Sequence, residues 1–343
     1  MMELKETVKY LAALNGTSGD ETDVTEAIIK LLPEDVIYQV DPLGNLIVEK
    51  TGREQPKSKI MIDAHTDEVG FIVTHINGDG SLSFAPVGGI LPYVVFGRQV
   101  MFKNGVYGAI AAVPLHLLKG DEKDSQPKIS DLRIDIGAKD KEEAEKLVQP
   151  GDCAYFTGGQ FDFGDGFMAG KALDDRVGCA IMLELMKKEL PYDCTFSFSV
   201  QEEIGTRGAS VSAFTVNPDI AIVLETTTAC DISGVKGEKR VCELGKGPVV
   251  SYMDRSTIYD RELYKLAFDT AKEIGVQCQT KTVVAGGNDS GAIHKTAGGI
   301  RTTAVSLPCR YLHSPNCVIK ESDLYETVKL AEALIEKLGG LES

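Results

Sequence analysis

The sequence predicts an α/β protein in which a doubly wound, mixed sheet carries helices on both faces and a small β-barrel interrupts the chain. Helical and strand-like patterns alternate up to His65 and again after Gly170, as in sheets covered by helices. Between them, short strand-like segments are separated by Gly, Pro, Asn-Gly and Asp-Gly, which is typical of a barrel or sandwich. We therefore expect one α/β domain built from residues 1–67 and 166–343, with a β-barrel of residues 68–165 inserted in it.

The N-terminal part is predicted to form two helices and then strands. Apolar residues recur at helical spacing over residues 3–14 and 20–32. Residues 36–49 are predicted to form a hairpin, because the turn-forming run Asp41-Pro42-Leu43-Gly44-Asn45 divides them. An apolar strand over residues 59–64 then leads directly into His65.

The insert and the rest of the chain show two different patterns. In the insert we expect a helix at 141–148 and strands at 70–76, 81–86, 99–103, 106–113, 132–136 and 153–156. After it we expect helices at 173–189, 205–214, 258–274, 289–295 and 321–338, and strands at 195–201, 220–224 and 302–307. The alternation in this last part places helices on both faces of the sheet.

Charge and composition exclude several classes of partner. Lys+Arg 36 against Asp+Glu 51 gives a net charge of -15, which disfavours nucleic acid and anionic membranes. No apolar run approaches the roughly 20 residues of a membrane helix, and the charged N-terminus lacks the apolar core of a signal peptide. The eight cysteines form no Cys-x-x-Cys pair, which favours reduced thiols. We therefore expect a cytoplasmic protein.

Two adjacent acids, Glu202 and Glu203, are the most informative residues. They follow the strand-like run Thr195–Gln201, and open α/β sheets bind ligands at the carboxyl ends of their strands. Neighbouring side chains on a strand point to opposite sides. One acid could therefore bind a metal while the other transfers a proton.

Other side chains suited to metals follow predicted strands or open a helix. They are His65 with Asp67, Asp174 with Asp175, Glu225 and His313. A doubly wound sheet brings such positions to one edge. Imidazoles mixed with carboxylates suit Zn²⁺, Co²⁺ or Mn²⁺ better than Ca²⁺ or a soft metal.

Four motifs occur in a fixed order along the chain. They are Ala64-His65-Thr66-Asp67-Glu68-Val69-Gly70, Ala172-Leu173-Asp174-Asp175-Arg176, Gln201-Glu202-Glu203-Ile204-Gly205 and Arg310-Tyr311-Leu312-His313-Ser314-Pro315. With this layout the chain resembles the TET-type metallo-aminopeptidases of the M42 family, which include glutamyl and deblocking aminopeptidases. The resemblance covers nearly the whole chain. It implies a zinc-peptidase-like domain with a PDZ-like insert, peptide substrates, and dimers that join through the insert into tetrahedral dodecamers.

The resemblance also implies two divalent metal ions per subunit, Zn²⁺ or Co²⁺ with Mn²⁺ as a further candidate. The implied roles are one metal held by His65 and Glu225, the other by Glu203 and His313, a bridging Asp174, Glu202 as general base, and Asp67 behind His65. Many relatives carry Asp where Glu225 stands. Asp67 would fix the His65 ring by accepting its second N–H.

Each residue has an alternative interpretation. His65 could be a core histidine, and Asp174 could cap its helix. Asp175 is the rival for the bridging role and otherwise could pair with Arg176 or support the ligands from behind. The glycine-rich run 285–291 lacks the lysine of a phosphate loop, and is expected to line the substrate cleft.

Three other functions remain alternatives to an aminopeptidase. A glycoside hydrolase could use Glu202 and Glu225 without metal, but it leaves His65 and His313 unexplained, and the chain has no Trp for a sugar cleft. A two-metal deacylase could use the same residues. A non-enzymatic metal-binding scaffold would have no need of Glu202. Within the aminopeptidase interpretation, we expect a hydrophobic or broad preference for the N-terminal residue.

Overall fold

The computed structural model describes residues 2–117 and 128–342. Its helices in these ranges are α1 Leu4–Ala13, α2 Thr22–Leu31, α3 Pro92–Val95, α4 Lys141–Ala144, α5 Leu173–Met186, α6 Arg207–Val216, α7 Arg261–Glu273, α8 Ser290–Ile293 and α9 Glu321–Gly339. Its strands there are β1 Val36–Val40, β2 Leu46–Lys50, β3 Ile60–His65, β4 Gly70–Ile76, β5 Leu82–Val87, β6 Gln99–Phe102, β7 Tyr107–Ala111, β8 Arg133–Asp135, β9 Cys153–Phe156, β10 Phe161–Phe163, β11 Phe167–Gly170, β12 Cys194–Ser199, β13 Ile220–Thr228, β14 Val249–Val250, β15 Gln279–Thr280, β16 Arg301–Cys309 and β17 Cys317–Lys320.

The main sheet is mixed and has the strand order β1-β2-β12-β3-β13-β16-β14-β15 within the described residues. Its four central strands, β12, β3, β13 and β16, run parallel. The strand β3 is buried along its whole length, as expected for a parallel strand covered on both faces. The carboxyl ends of all four central strands therefore meet at one edge of the sheet.

Helices cover both faces of this sheet. The helices α1, α5 and α9 pack on one face, where Leu11, Phe196 and Leu334 belong to the largest apolar core. On the opposite face α6 and α8 pack over a smaller core that contains Met61 and Ile293. The predicted fold class, a doubly wound mixed sheet with helices on both faces and a small barrel, is confirmed.

The barrel closes in the order β4-β5-β8-β7-β6-β9, and every pairing in it is antiparallel. Phe71 lies at its centre, with edge-to-face contacts to Phe84 and Phe156 at ring separations of 5.2 and 5.0 Å. The chain enters the barrel just after His65 and comes back to α5 through β10 and β11. The barrel strands thus run from Gly70 to Phe156, and the exact domain boundaries at 68 and 165 stay a prediction.

Some elements differ from the sequence prediction. The strands β10, β11 and β17 form a small antiparallel sheet that the sequence pattern did not indicate. The predicted helix at 141–148 ends at Ala144, and β13 continues four residues beyond the predicted 224 to Thr228. None of the described helices combines the length and apolar character needed to cross a membrane.

Candidate active site

Five segments bring the predicted site residues together at the carboxyl edge of the central strands. They are the end of β3 with His65, the start of α5 with Asp174, the turn after β12 with Glu202 and Glu203, the strand β13 with Glu225, and the loop after β16 with His313. Four of these segments belong to adjacent parallel strands. The convergence therefore follows from the strand order, as in other open α/β sheets.

The side chains form two groups of three that share Asp174. One group is His65, Asp174 and Glu225, and the other is Asp174, Glu203 and His313. Within each group one atom per residue lies within 4.8 Å of the others. Asp174 Oδ1 lies 3.4 Å from His65 Nε2, and Asp174 Oδ2 lies 3.4 Å from His313 Nε2. The two carboxylate oxygens of one aspartate thus face two different imidazoles.

The remaining distances are similar. Glu225 Oε1 lies 3.5 Å from His65 Nε2, and Glu203 Oε2 lies 3.3 Å from His313 Nε2. Two atoms that bind one Zn²⁺ at about 2.1 Å with tetrahedral angles are about 3.4 Å apart. The spacing of the donors is therefore compatible with a shared divalent ion.

Asp67 lies behind His65, but it acts through more atoms than the sequence suggested. The backbone oxygen of Asp67 accepts a hydrogen bond from His65 Nδ1 at 3.1 Å, and its Oδ1 lies 3.3 Å from the same nitrogen. This contact suits the tautomer with a proton on Nδ1, which leaves Nε2 free to bind a metal. The strand β3 ends at His65, so Asp67 lies in the loop that follows the strand.

The Asp67 carboxylate also holds the turn that carries the two glutamates. It accepts hydrogen bonds from the backbone N–H groups of Glu202 at 2.9 Å and Glu203 at 3.1 Å, and from Ser18 Oγ at 2.6 Å. The strand β12 ends at Ser199, so both glutamates lie in this turn and not on the strand. The predicted alternation of the two side chains on a strand is therefore wrong, although both side chains line the same cavity.

A buried ionic cluster supports the segment between His65 and Asp67. Arg176 is fully buried, and its Nε donates to the Thr66 backbone oxygen at 2.8 Å. Lys171 Nζ donates to Glu68 Oε1 at 2.6 Å and to the Leu14 backbone oxygen at 2.8 Å. Sequence reasoning missed this cluster, because Lys, Arg and Glu in flanking positions look like ordinary surface residues.

Asp175 does not make the ion pair proposed for it. Its Oδ1 accepts a hydrogen bond from the Gly178 backbone N–H at 3.0 Å, while its Oδ2 is buried without a partner. Arg176 instead donates to backbone oxygens of Thr66 and Leu11. Asp175 belongs to neither of the two groups of donors found in the described residues, which favours Asp174 as the shared residue.

His313 is oriented by the barrel. Its Nδ1 lies 2.8 Å from the backbone oxygen of Gly89, in the loop after β5. The preceding residue, Gly88, has φ +88°, and a Cβ there would lie 2.7 Å from Val69 Cγ1 and 3.3 Å from Glu203 Cβ. Only glycine lets this loop approach the site so closely.

Burial raises the pKa values of the glutamates at the site. Desolvation is the largest cause for Glu203 and Glu225, whose pKa values rise to about 8. Desolvation also raises the pKa of Glu202 well above its usual value. Burial thus disfavours the charged forms of all three acids.

The pKa values of His65, His313 and Asp174 shift so that the charged form of each group is favoured. Desolvation opposes the charged forms of His65 and His313, but the surrounding carboxylates outweigh it and raise both pKa values, that of His313 to about 10. Desolvation likewise opposes ionisation of Asp174, but hydrogen bonds from His313 and His65 lower its pKa well below the usual value. The site thus attracts positive charge strongly.

The residues present fit a pair of divalent cations. The set mixes two imidazoles with three carboxylates, which is a donor set for Zn²⁺, Co²⁺ or Mn²⁺. Glu203 Oε1 is buried without any hydrogen-bond partner, and a buried carboxylate oxygen normally has one. A cation shared by these groups would satisfy that oxygen and balance the charges.

A cavity of about 300 Å³ opens beside the donors. Its walls include Thr226, Val241, Lys281 and Leu312, together with the run Ala285–Gly287. The predicted role of the glycine-rich run, as part of a cleft rather than a phosphate loop, agrees with this position. Lys281 was missed, because a single lysine in a polar loop carries no sequence signal.

Comparisons with known proteins agree with this geometry. A profile described as M42 glutamyl aminopeptidase matches residues 44–330. A putative aminopeptidase of Acetivibrio thermocellus is 40% identical over 96% of this chain and 97% of its own. The TET aminopeptidase of Thaumarchaeota archaeon SCGC AB-539-E09 has a TM-score of 0.92 at 33% identity, over 99% of this chain and 97% of its own.

A third relative carries information on assembly. The Pyrococcus horikoshii TET1 peptidase, which can assemble into a tetrahedron or a large octahedral shell, has a TM-score of 0.85 at 36% identity and covers 97% of this chain and 99% of its own. The matches extend over both the helix-covered sheet and the barrel. The chain belongs to the M42 family of aminopeptidases.

Proposed function

We propose that the protein is an aminopeptidase that depends on two divalent metal ions and removes N-terminal residues from peptides, with Glu202 as general base. The observation that carries the proposal is the position of Asp174, whose two oxygens face His65 and His313 at 3.4 Å each. His65 and Glu225 would hold one ion, Glu203 and His313 the other, and Asp174 would be shared. Zn²⁺ or Co²⁺ suits these donors, with Mn²⁺ as a further candidate.

Ions bound there would supply Lewis acidity, which lowers the pKa of water and polarises a peptide carbonyl. Glu202 lies in the same cavity as the donors but belongs to neither group of three. Its carboxylate would accept the proton of the attacking water and then deliver that proton to the leaving amine nitrogen.

Asp67 would act as a positioning residue in this mechanism. Its backbone oxygen orients His65, and its carboxylate fixes the backbone of Glu202. One residue thus sets the distance between a metal ligand and the base. Substitution of Asp67 should therefore lower activity although this side chain is not proposed to contact the substrate.

The test is the substitution Glu202→Gln in metal-loaded protein. The variant should retain both metals, measured by elemental analysis after gel filtration, and should lose about 10²- to 10⁴-fold in kcat, the usual contribution of a general base. Glu203→Gln should lose metal as well as activity, and Glu26→Gln on the exposed face of α2 should change neither. A Glu202→Gln variant with near-normal turnover would remove this residue from the role of base.

The rival enzymes differ in whether they act on a peptide with a free or a blocked N-terminus. An aminopeptidase cleaves a free tripeptide and leaves its N-acetylated form intact, whereas a deacylase releases acetate from the blocked peptide. A glycoside hydrolase that works through carboxylates alone would retain activity in a chelator. Cleavage of the blocked peptide at the rate of the free one would contradict the proposed function.

We further propose that subunits pair through the barrel and assemble into a tetrahedral dodecamer. The support is the Pyrococcus horikoshii relative that forms a tetrahedron, together with exposed apolar side chains on the barrel. These are Leu91, Tyr93, Phe96, Tyr107 and Val113. Light scattering should give the mass of twelve chains of 37.0 kDa.

A further inference from the structure

The backbone of the turn that carries the two glutamates is held by side chains from distant segments. Four successive N–H groups, those of residues 200–203, donate to side-chain oxygens. Asn45 accepts the first at 3.0 Å, Glu21 accepts the second at 3.1 Å, and Asp67 accepts the last two at 2.9 and 3.1 Å. Asp67 already has a part in the proposed function, whereas Glu21 has none.

Glu21 is a buried acid outside the metal donors. Its residue is 6% exposed, and it belongs to neither group of three found in the described residues. Its Oε1 accepts hydrogen bonds from the Gly19 N–H at 2.9 Å and from the Gln201 N–H at 3.1 Å. Desolvation raises the pKa of Glu21 to about 7. Oε1 can accept these bonds in both forms, because a proton can be carried by the other oxygen.

The backbone of Glu21 is fixed on both sides. Glu21 directly precedes α2, and its backbone oxygen accepts hydrogen bonds from the N–H groups of Val24 at 2.9 Å and Thr25 at 3.0 Å. In the loop before it, Ser18 Oγ donates to the Asp67 carboxylate at 2.6 Å. The carboxyl group of Glu21 therefore reaches the turn from a rigid support.

Gln201 is the residue at which the chain turns toward the site after β12. Its φ is +59°, a left-handed conformation that residues other than glycine adopt only at a cost in free energy. A fixed acceptor for the Gln201 N–H helps to hold this conformation. Because Gln201 directly precedes Glu202, its backbone angles set the direction from which the Glu202 side chain enters the cavity.

From these contacts we propose that Glu21 is a positioning residue for the general base: by holding the Gln201 N–H, it sets the direction of Glu202. The proposal rests on the proposed function, because that function assigns the base to Glu202. The effect depends on the length of the Glu21 side chain and on its oxygen acceptor rather than on its charge. Since Glu202 is not a proposed metal ligand, loss of the contact should slow proton transfer and leave both metals bound.

The main experiment separates side-chain length from charge in metal-loaded protein. Glu21→Gln keeps the length and an oxygen acceptor but removes the charge, and it should retain most of the activity. Glu21→Asp keeps the charge but is shorter by one methylene group, and Glu21→Ala has no acceptor. Both should lower kcat about 10- to 100-fold, the effect of misplacing a catalytic group by about 1 Å. KM and metal content should stay unchanged.

A second comparison uses Glu202→Gln, the variant without the proposed base. A residue that acts only through Glu202 has nothing left to position in that background, so adding Glu21→Ala should cause little further loss. Glu26→Ala on the exposed face of α2 is the matched control and should change kcat in neither background. Equal losses from Glu21→Ala in both backgrounds would overturn the proposal, because a general effect on the fold acts with or without the base.

Hydrogen exchange gives a readout that does not depend on turnover. The Gln201 amide donates a hydrogen bond in the original protein, and mass spectrometry of a peptide that spans residues 200–203 follows its exchange. Exchange in this peptide should be about 10-fold faster in Glu21→Ala and Glu21→Asp, the effect of losing one hydrogen bond. Glu21→Gln should exchange like the original protein. Thermal melting shows whether each variant is folded.

The role of Glu21 and the proposed function can fail separately. If Glu202→Gln loses activity while Glu21→Asp and Glu21→Ala keep the original kcat, the role of Glu21 is rejected and the base stands. An active Glu21→Asp beside an inactive Glu21→Gln would show that charge matters rather than length, and would also reject the proposal. If Glu202→Gln keeps near-normal turnover, or if no peptide is cleaved under any metal loading, the proposed function fails and the role of Glu21 fails with it.

Discussion

At the scale of single residues, Asp67 connects the parts of the site. It contacts His65 through its backbone oxygen and accepts three hydrogen bonds through its carboxylate, two of them from the N–H groups of Glu202 and Glu203. Hydrogen bonds to a buried carboxylate are stronger than those between neutral groups. A change of one atom in this side chain should therefore affect metal binding and proton transfer together.

Asp67→Asn tests this connection. The amide keeps the shape of the side chain. Its NH₂ group, however, must face an N–H or hydroxyl group that donates a hydrogen bond to the carboxylate in the original protein. We expect metal affinity and kcat/KM to fall about 10- to 100-fold, as for other residues that orient metal ligands. Metal competition titrations and steady-state kinetics measure the two effects.

Ser18→Ala is the matched control, because it removes only the hydrogen bond from Ser18 Oγ to Asp67. Its effect should be clearly smaller than that of Asp67→Asn. If both variants bind metal and turn over substrate like the original protein, Asp67 is not a positioning residue.

The residues that the sequence identified lie in local motifs, whereas those that it missed depend on contacts formed by the fold. His65, Asp174 and His313 lie in motifs at the ends of predicted helices and strands. The motifs and the predicted secondary structure are therefore enough to identify them. Lys171 and Arg176 matter because of neighbours far away in sequence, the backbone oxygens of Leu14 and Leu11. Only the folded chain reveals such neighbours.

At the scale of elements, the end of β16 is tied to the segment after β13. Arg310 directly follows β16, and its Nε and Nη2 lie 2.6 and 2.7 Å from the two carboxylate oxygens of Asp231. Leu244 N–H donates to the same carboxylate at 3.0 Å. This bidentate pair stands three residues before His313 and so anchors the loop that carries it.

The pair predicts a pH dependence of stability. Desolvation opposes ionisation of Asp231, but the hydrogen bonds from Arg310 outweigh it and lower the pKa below 3.8. A lowered pKa in the folded state means that the stabilisation is complete above the unfolded-state pKa and is lost as the pH falls below it. Asp231→Asn should therefore cost about 1.5–3 kcal/mol at pH 7, and less as the pH falls through about 4.

Urea unfolding of metal-free protein and its variant at several pH values measures this difference. Asp269→Asn, an exposed acid of α7, serves as the control and should show no cost at any pH. A cost for Asp231→Asn that stays constant down to pH 3 would contradict the assignment of this carboxylate as ionised and paired.

Prediction from sequence succeeded for elements with a clear pattern of apolar residues and failed for several strands that lack one. The helices α1, α5 and α9 and the strands β4 and β9 lie where their periodic patterns indicated. The two-residue strands β14 and β15 have no pattern to detect, and β10 is exposed along its length. Such strands form because a neighbouring strand offers free backbone groups, which is a property of the assembled sheet.

At the scale of the whole molecule, we expect the proposed metal site to affect the stability of the fold. Three carboxylates and Glu202 are crowded into a site where burial already raises the pKa values of Glu203 and Glu225. In the unfolded chain these groups are separated and solvated. A ligand that binds only the folded state stabilises it by mass action.

Chelation should therefore lower the melting temperature as well as abolish activity, and reloading with Zn²⁺ or Co²⁺ should restore both. Scanning calorimetry of the chelated and reloaded protein measures the effect. His313→Ala should show a smaller shift, because it removes one ligand of one proposed ion. Equal melting temperatures before and after chelation would argue against a shared site.

The contact between His313 and the Gly89 backbone oxygen has a consequence for how this architecture can change. Because a main-chain atom makes the contact, the orientation of His313 depends on the path of this loop. Excising the barrel to obtain a smaller enzyme would release the imidazole to rotate. The outer surface of the barrel can therefore diverge for new partners only as long as its inner loop stays in place.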